Sequence, residues 1–443
     1  MELEAARKAP ASWTRLPISN VCEKFTSGGT PSRKRPEYYE GGTIPWVKTK
    51  ELHDRPILDT EEHITAEALA SSSAKLLPTQ TILMAMYGAT VGQLGRLGVP
   101  MACNQACAAI IIDPVKASAD YLYYQLLAHR EQIVSFATGA AQQNLSGAQI
   151  KQFILPFPSL AEQNAIGGLL RALDDKIELN RRMNETLEAM ARAIFKDWFV
   201  DFGPTRAKAA RRGHPTQPKY DRPPYLAPDL WDLFPDALDD DGKPVGWTQG
   251  NLADVADSPR RSIAPADVSE DTPYIGLEHM PRRSIALTEW EGAGKVTSNK
   301  SEFKRGEFLF GKLRPYFHKV GFAPLDGICS TDIVVVTPRA PHWAAFTLAC
   351  LSSDEFVDYT DQTSTGTKMP RTSWKIMGQY KLYLPPEPAA QAFENTVRPL
   401  IDRIVANIHE SRTLAQIRDL LLPKLMSGEI RLREAEKAVE AVA

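Results

Sequence analysis

The sequence predicts an α+β protein with a pseudo-twofold repeat: two mixed α/β globular units separated by a pair of long antiparallel coiled-coil helices. Three observations lead there. The chain of 443 residues is long enough for about three folded units, and its 43% apolar content is that of a folded protein. The second half repeats the first at an offset of 227 residues, with Thr138-Gly139 on Thr365-Gly366, Pro158 on Pro385, Ile166 on Phe393 and Leu170 on Val397. The register continues without a gap through Leu173 and Leu400, Ile177 and Ile404, Asn180 and Asn407, Thr186-Leu187 and Thr413-Leu414, to Ile194 and Leu421. Finally, each half changes texture near its end, from short β-rich runs to a long apolar periodicity.

Residues 1–158 form the first globular unit. Runs such as Gln80-Thr81-Ile82-Leu83-Met84 and Ala109-Ile110-Ile111-Ile112 read as strands broken by Gly and Pro. Residues 159–200 form the first long helix, with Ile166, Leu173, Leu187 and Ile194 at heptad spacing and Leu170 and Ile177 between them. At 1.5 Å per residue this stripe spans roughly 40 Å, more than one small domain needs. The stripes of the two helices are therefore expected to pack on each other rather than each capping its own unit. Asn180, Asn184 and Asn407 interrupt them, and a polar residue at such a position selects register at some cost in stability.

Residues 201–246 are rich in Pro and Asp and read as a linker, its basic run at 206–212 as solvated surface. Residues 247–385 form the second unit, opened by Trp247 as Trp13 opens the first; Thr272-Pro273-Tyr274 resembles Ile44-Pro45-Trp46, and Cys329 falls near Cys103 in register. Residues 386–430 are the second long helix, and 431–443 a charged tail expected to fray.

Composition bounds the function. Lys plus Arg total 52 against 54 Asp plus Glu, a formal net charge of −2, which excludes a polycationic tail binder but not local contacts to phosphate. Five scattered cysteines suit a reducing compartment, and no apolar run is long enough to span a membrane; a cytoplasmic protein is expected.

Three apparent motifs fail on chemistry. Residues 306–312 have the spacing of a phosphate loop, yet Leu313 stands where a hydroxyl should meet magnesium and bulky strand formers fill the interior. Residues 221–225 resemble an amino-methyltransferase tetrapeptide, but Arg222 offers no acceptor to a target amine. Cys103 and Cys107 lack a second ligand pair for zinc. With no nucleophile elbow either, no catalytic site, metal site or cofactor is expected in this chain. A pseudo-dimeric enzyme such as a restriction-methylation fusion, and a protein scaffold without DNA contact, are the competing readings; the first would need a methyl-donor loop and a nuclease carboxylate cluster.

Residues 195–202 (FKDWFVDF) and 420–430 (LLLPKLMSGEI), together with residues 26–31 (TSGGTP), 44–47 (IPWV) and 244–247 (PVGW), resemble the signatures of the specificity subunit of type I restriction-modification systems. The resemblance covers nearly the whole chain. It implies two target recognition domains, each reading one half of a split sequence in double-stranded DNA, and paired helices that set the gap and dock two methyltransferase subunits. Through them a restriction/translocase subunit would join. S-adenosylmethionine would belong to the methyltransferase partner, and ATP with Mg2+ to the nuclease/translocase.

Candidate contacts follow from the chemistry of base readout, in which Arg or Lys reads guanine and Asn or Gln reads adenine. In the first unit these are Arg33, Lys34, Arg35, Lys48, Thr49, Lys50, Gln142, Gln143 and Asn144; in the second, Arg282, Arg283, Lys312, Arg314, Lys368 and Arg371. The loops that follow Thr138-Gly139 and Thr365-Gly366 are favoured because the repeat places them at matching positions. Partner docking is assigned to the apolar helix ends: Ile194, Phe195, Trp198 and Phe199 on the first, Leu421, Leu422, Leu425 and Met426 on the second.

Overall fold

In the computed structural model, residue 3 and residues 9–137, 144–213, 225–366 and 368–440 are described. The chain divides into two units, Met1–Leu179 with Thr413–Ala443, and Asn180–Arg412. Both boundaries fall inside the two long helices, Leu160–Phe195 and Glu387–Ser427.

In the first unit a five-stranded sheet is ordered Cys22–Ser27, Cys107–Ile112, Ile82–Ala85, Leu94–Leu97, Arg55–Ile57. The central strands Cys107–Ile112 and Ile82–Ala85 are apolar and, Ile111 apart, buried along their length, as strands covered on both faces require. A three-stranded sheet joins His63–Ile64, Ile44–Val47 and Ala102–Cys103, and Thr14–Pro17 pairs with Ile154–Phe157.

The second unit repeats this plan. Thr248–Asn251 pairs with Lys381–Leu384 as the first-unit ribbon does. Phe308–Gly311 lies antiparallel to Ile333–Pro338, as Ile82–Ala85 lies against Cys107–Ile112. The parallel pairing of Trp46 with Ala102 and Val47 with Cys103 recurs as Tyr274 with Ile328 and Ile275 with Cys329. The sequence match of Cys103 with Cys329 is thus a match of strand position.

The long helices do more than pack on each other. Ile166 and Leu170 enter the first unit's core beside Tyr121, Tyr124 and Phe157; Phe393, Val397 and Ile401 enter the second unit's core beside Phe346. The expectation that the stripes mainly face each other is corrected to this extent: large aromatic surfaces on the globular parts remove more apolar area from water than a second thin stripe would. Apolar contacts between the helices remain, with Leu187, Ala191, Ile194 and Phe195 sharing one cluster with Phe393, Ile401, Ile404 and Ile408 and the Phe195 and Phe393 rings 6.0 Å apart, and polar pairs interrupt them. Asn180 donates to Glu410 at 2.8 Å and Asn407 to Asn184 at 2.8 Å, an antiparallel register in the second unit; in the first, Arg418 meets Asp174 at 2.7 Å. Arg171 and Arg398, which match in the repeat, each secure a helix to its own unit. Arg171 reaches Asp120 at 3.4 Å, while Arg398 meets Glu394, whose other oxygen accepts the Ala345 N–H at 2.6 Å.

Two further expectations are corrected. The linker is partly folded: Gly203–Gly213 is a helix, Lys208 donates to the Phe234 carbonyl, and Trp231 and Phe234 are buried, Phe234 edge-on to Trp198 at 5.2 Å. Burial of those two aromatic side chains outweighs the low propensity of the Pro and Asp around them. Nor is the tail frayed throughout. Leu432–Glu440 is helical and seats Ala435 in the first unit's core, with Leu432, Ala438 and Val439 packed against it. Gly428, at φ +74, ends the second long helix, and a Cβ there would lie 2.8 Å from Pro10.

Candidate nucleic-acid interface

The loop after strand Phe308–Gly311 is where the second unit concentrates cations. Arg314 at φ +50 and His318 at φ +51 bracket a 3-10 turn, Pro315–Phe317, so the chain reverses sharply. A second loop pairs with it. Arg371 bridges both Leu313 and Thr365, Thr372 N–H donates to the Lys312 carbonyl at 3.0 Å, and Arg314 N–H donates to the Pro370 carbonyl at 2.8 Å. Gly366, at φ +96, supplies the turn.

This pairing gathers Lys312, Arg314, Lys368 and Arg371 from stretches over fifty residues apart. Arg282 joins them by stacking over the Phe317 ring at 4.1 Å, with Arg314 at 5.9 Å from the same ring. Arg371 lies 3.6 Å from Asp332, whereas Arg282, Lys312, Arg314 and Lys368 have no ion pair among the described residues. Arg283 points elsewhere, to Asp354 at 2.8 Å. Tyr316 and Met369 are half exposed on the same loops. Unpaired cations beside exposed aromatic surface suit phosphate and base edges.

The first unit holds the matching loop. Asn144 bridges Tyr87 as Arg371 bridges Leu313, and Leu145 N–H donates to the Met86 carbonyl at 2.9 Å as Thr372 does to Lys312. Asn144 and Arg371 are related by the 227-residue offset. Gln142 and Gln143, with Thr138-Gly139, lie outside the described residues.

Of the remaining first-unit candidates, Arg33, Arg35, Lys48 and Lys50 are held by acids. Arg33 pairs with Glu62 at 2.6 Å and stacks on Tyr39; Arg35 pairs with Glu37 and Glu67; Lys48 pairs with Glu62 and Glu61, and Lys50 with Glu61 at 2.5 Å. Hydrogen bonds from Arg33 and Lys48 hold the Glu62 carboxyl below its usual value, and Lys50 does the same to Glu61. Thr49 opens a 3-10 turn between the two lysines. Lys34 is exposed and without an ion pair among the described residues. Surface pairs of this kind are weak and screened by salt, which leaves these cations open to exchange of the glutamates for phosphate.

The docking assignment is corrected. Phe195, Trp198, Phe199, Leu421, Leu422, Leu425 and Met426 are all under 8% exposed, and Ile194 is partly buried against the second unit's core. Phe199 packs on Phe393 at 5.0 Å and Phe346 at 5.1 Å; Leu425 and Met426 sit in the first unit's core. An apolar helix end next to a globular unit is covered by that unit before any partner arrives. The exposed apolar neighbours are Val200 and Leu420, the latter 60% exposed.

Sequence reasoning also missed Tyr87, Tyr316 and Phe317. The signal was the repeat itself: all three follow corresponding strands. Gly306 lies in a turn and residues 308–311 in a buried strand, leaving no open phosphate cradle at 306–312. Cys103 and Cys107 are buried strand residues of the first unit. No helix among the described residues is long and apolar enough to cross a membrane.

Residues 10–189 match the family described as the type I restriction modification DNA specificity domain. The chain is 28% identical to the type I restriction enzyme MjaIX specificity subunit of Methanocaldococcus jannaschii over 450 residues, 96% of this chain and 95% of that one. It is 25% identical to the HindI specificity subunit of Haemophilus influenzae over 324 residues, 63% of this chain and 70% of that one. Among solved structures, the type I restriction-modification S subunit from M. genitalium covers 96% of this chain and 99% of its own, with a TM-score of 0.56 at 16% identity. That likeness is one of fold.

Proposed function

We propose that the chain, whose residues 10–189 match the type I restriction modification DNA specificity domain and which is 28% identical to a type I specificity subunit over 96% of its length, is such a subunit and reads a bipartite DNA target, one half-site per unit, for a methyltransferase complex. The observation that carries the reading is the duplicated loop: Asn144 on Tyr87 in the first unit, Arg371 on Leu313 in the second. The two bridges are alike in backbone and differ in side chain, as two readers of different bases from one scaffold would. Asn in one and Arg in the other suit adenine and guanine respectively.

The chain itself contributes no catalysis in this reading. Methyl transfer and S-adenosylmethionine belong to two methyltransferase subunits, and ATP, Mg2+ and cleavage to a restriction/translocase subunit carried by the same complex. Val200 and Leu420, rather than their buried neighbours, and Met190 on the first long helix are exposed apolar side chains that a methyltransferase subunit would cover. With a net charge of −2, the chain leaves much of the phosphate neutralisation to its partners.

Co-expression with the methyltransferase subunit of its system, followed by genome-wide mapping of methylated bases, tests the proposal. A split motif with a fixed gap supports it. A contiguous motif favours a single reader, and no motif with intact assembly favours a scaffold.

A further inference from the structure

Glu188 lies on the first long helix, within the second unit, and its side chain is 2% exposed. A carboxylate buried to that extent is costly unless its oxygens find donors. Its donors come from one loop. Ser284 donates its hydroxyl to Oε1 at 2.7 Å, and Ile285 donates its backbone N–H to Oε2 at 3.1 Å. Arg192, one turn along the helix, lies 4.0 Å from the carboxylate and donates to the Arg283 carbonyl at 3.4 Å. Burial pushes the Glu188 carboxyl above its usual value, opposed by these hydrogen bonds and the Arg192 charge.

From that loop the connections run on to the cation cluster. Arg283, at φ +57, donates its N–H to the His318 carbonyl at 2.8 Å, and His318 is fixed by its ring, which donates from Nε2 to the Ser352 carbonyl at 3.0 Å. Residues 282 and 317, each adjacent to one of these anchored positions, stack Arg282 on Phe317.

We propose that Glu188 is a positioning residue for base readout: it anchors residues 283–285 to the long helix and, through Arg283 and His318, sets the orientation of Arg282 and Arg314. The inference rests on the reading of the second unit as a DNA reader. It also predicts an asymmetry. The 227-residue offset places Ala415 opposite Glu188, so the matching position in the first unit carries no carboxylate, and its half-site is expected to be indifferent to Glu188.

The test uses the complete complex with its methyltransferase subunits, comparing wild type, Glu188→Ala and Glu188→Gln. Glu188→Ala is expected to lower discrimination in the second unit's half-site by about tenfold, while the first half-site and non-specific affinity stay within about twofold. Glu188→Gln retains one carbonyl acceptor and is expected to recover most of that loss. Hydrogen exchange at the Ile285 amide reads the anchor without DNA, and should rise in Glu188→Ala. Wild-type discrimination at both half-sites of Glu188→Ala overturns the proposal, as does an equal loss at both, which is the mark of a merely structural residue. A wild-type complex that recognises no bipartite target defeats the underlying reading instead, and unchanged Ile285 exchange in Glu188→Ala defeats the anchor on its own.

Discussion

Asn407 donates its side-chain N–H to Asn184 Oδ1 at 2.8 Å between the two long helices, and both residues are at most 4% exposed. The pair fixes one register of two antiparallel helices, because a shift by one residue leaves both amides facing apolar neighbours. Asn184→Leu should cost about 1–3 kcal/mol by stranding the Asn407 amide, whereas the double variant Asn184→Leu/Asn407→Leu should come close to wild type. Urea unfolding of the three variants checks this; equal loss in the single and double variants would show that the amides do not act together.

In the first unit Arg96 is 4% exposed and pairs with Asp120, with Asp175 at 3.6 Å; Asp120 also meets Arg171. Burial lowers the Arg96 pKa. Asp120→Ala leaves the guanidinium with one distant carboxylate, and a loss of about 3–5 kcal/mol is expected. A change below 1 kcal/mol in the chemical denaturation midpoint analysis would place water, not Asp120, as the partner that matters.

His318 gives the second unit a pH dependence. Burial holds its imidazole below the usual value, against the opposing pull of the Ser352 carbonyl and Asp354. A depressed pKa means the neutral ring's contribution is fully present above about pH 6.5 and is lost as pH falls through the lower folded value. Wild type should therefore lose more stability on acidification from neutrality than His318→Gln, as followed by thermal unfolding across that range. Parallel curves for the two proteins would remove His318 from the account.

At the cation cluster, Arg371 and Lys368 should behave differently. Arg371 is fixed by two backbone bridges, while Lys368 is exposed and without an ion pair among the described residues. Arg371→Ala is expected to relax recognition at one base position, and Lys368→Ala to weaken binding evenly and reduce the salt slope by about one. Titrations of specific and random DNA at several salt concentrations, with the assembled complex, separate the two effects.

How much of this was legible in the sequence depends on range. The duplication was, since identical spacing such as Thr186-Leu187 against Thr413-Leu414 needs no structure, and Asn144 and Arg371, one such offset apart, make equivalent bridges. The helices were legible from their period. What covers them was not: Trp198 and Leu425 look the same in a sequence whether a partner or the chain's own core buries them. The acids that hold Arg33, Lys48 and Lys50 lie more than ten residues away across a turn, so the first-unit clusters read as free charge. Glu188 has no local signature at all, because its donors are 96 and 97 residues distant.

The central claim is that two separate units each read one half-site. Residues 247–385 contain the second unit's strands, and a replacement that keeps Trp247 and Phe346 preserves their packing on Phe199. The decisive measurement is the genome-wide methylation map of the co-expressed complex before and after residues 247–385 are exchanged for those of a relative. The account predicts that one half of a split motif changes while the other half and the gap remain. A change in both halves, or a motif that is not split at all, would contradict it.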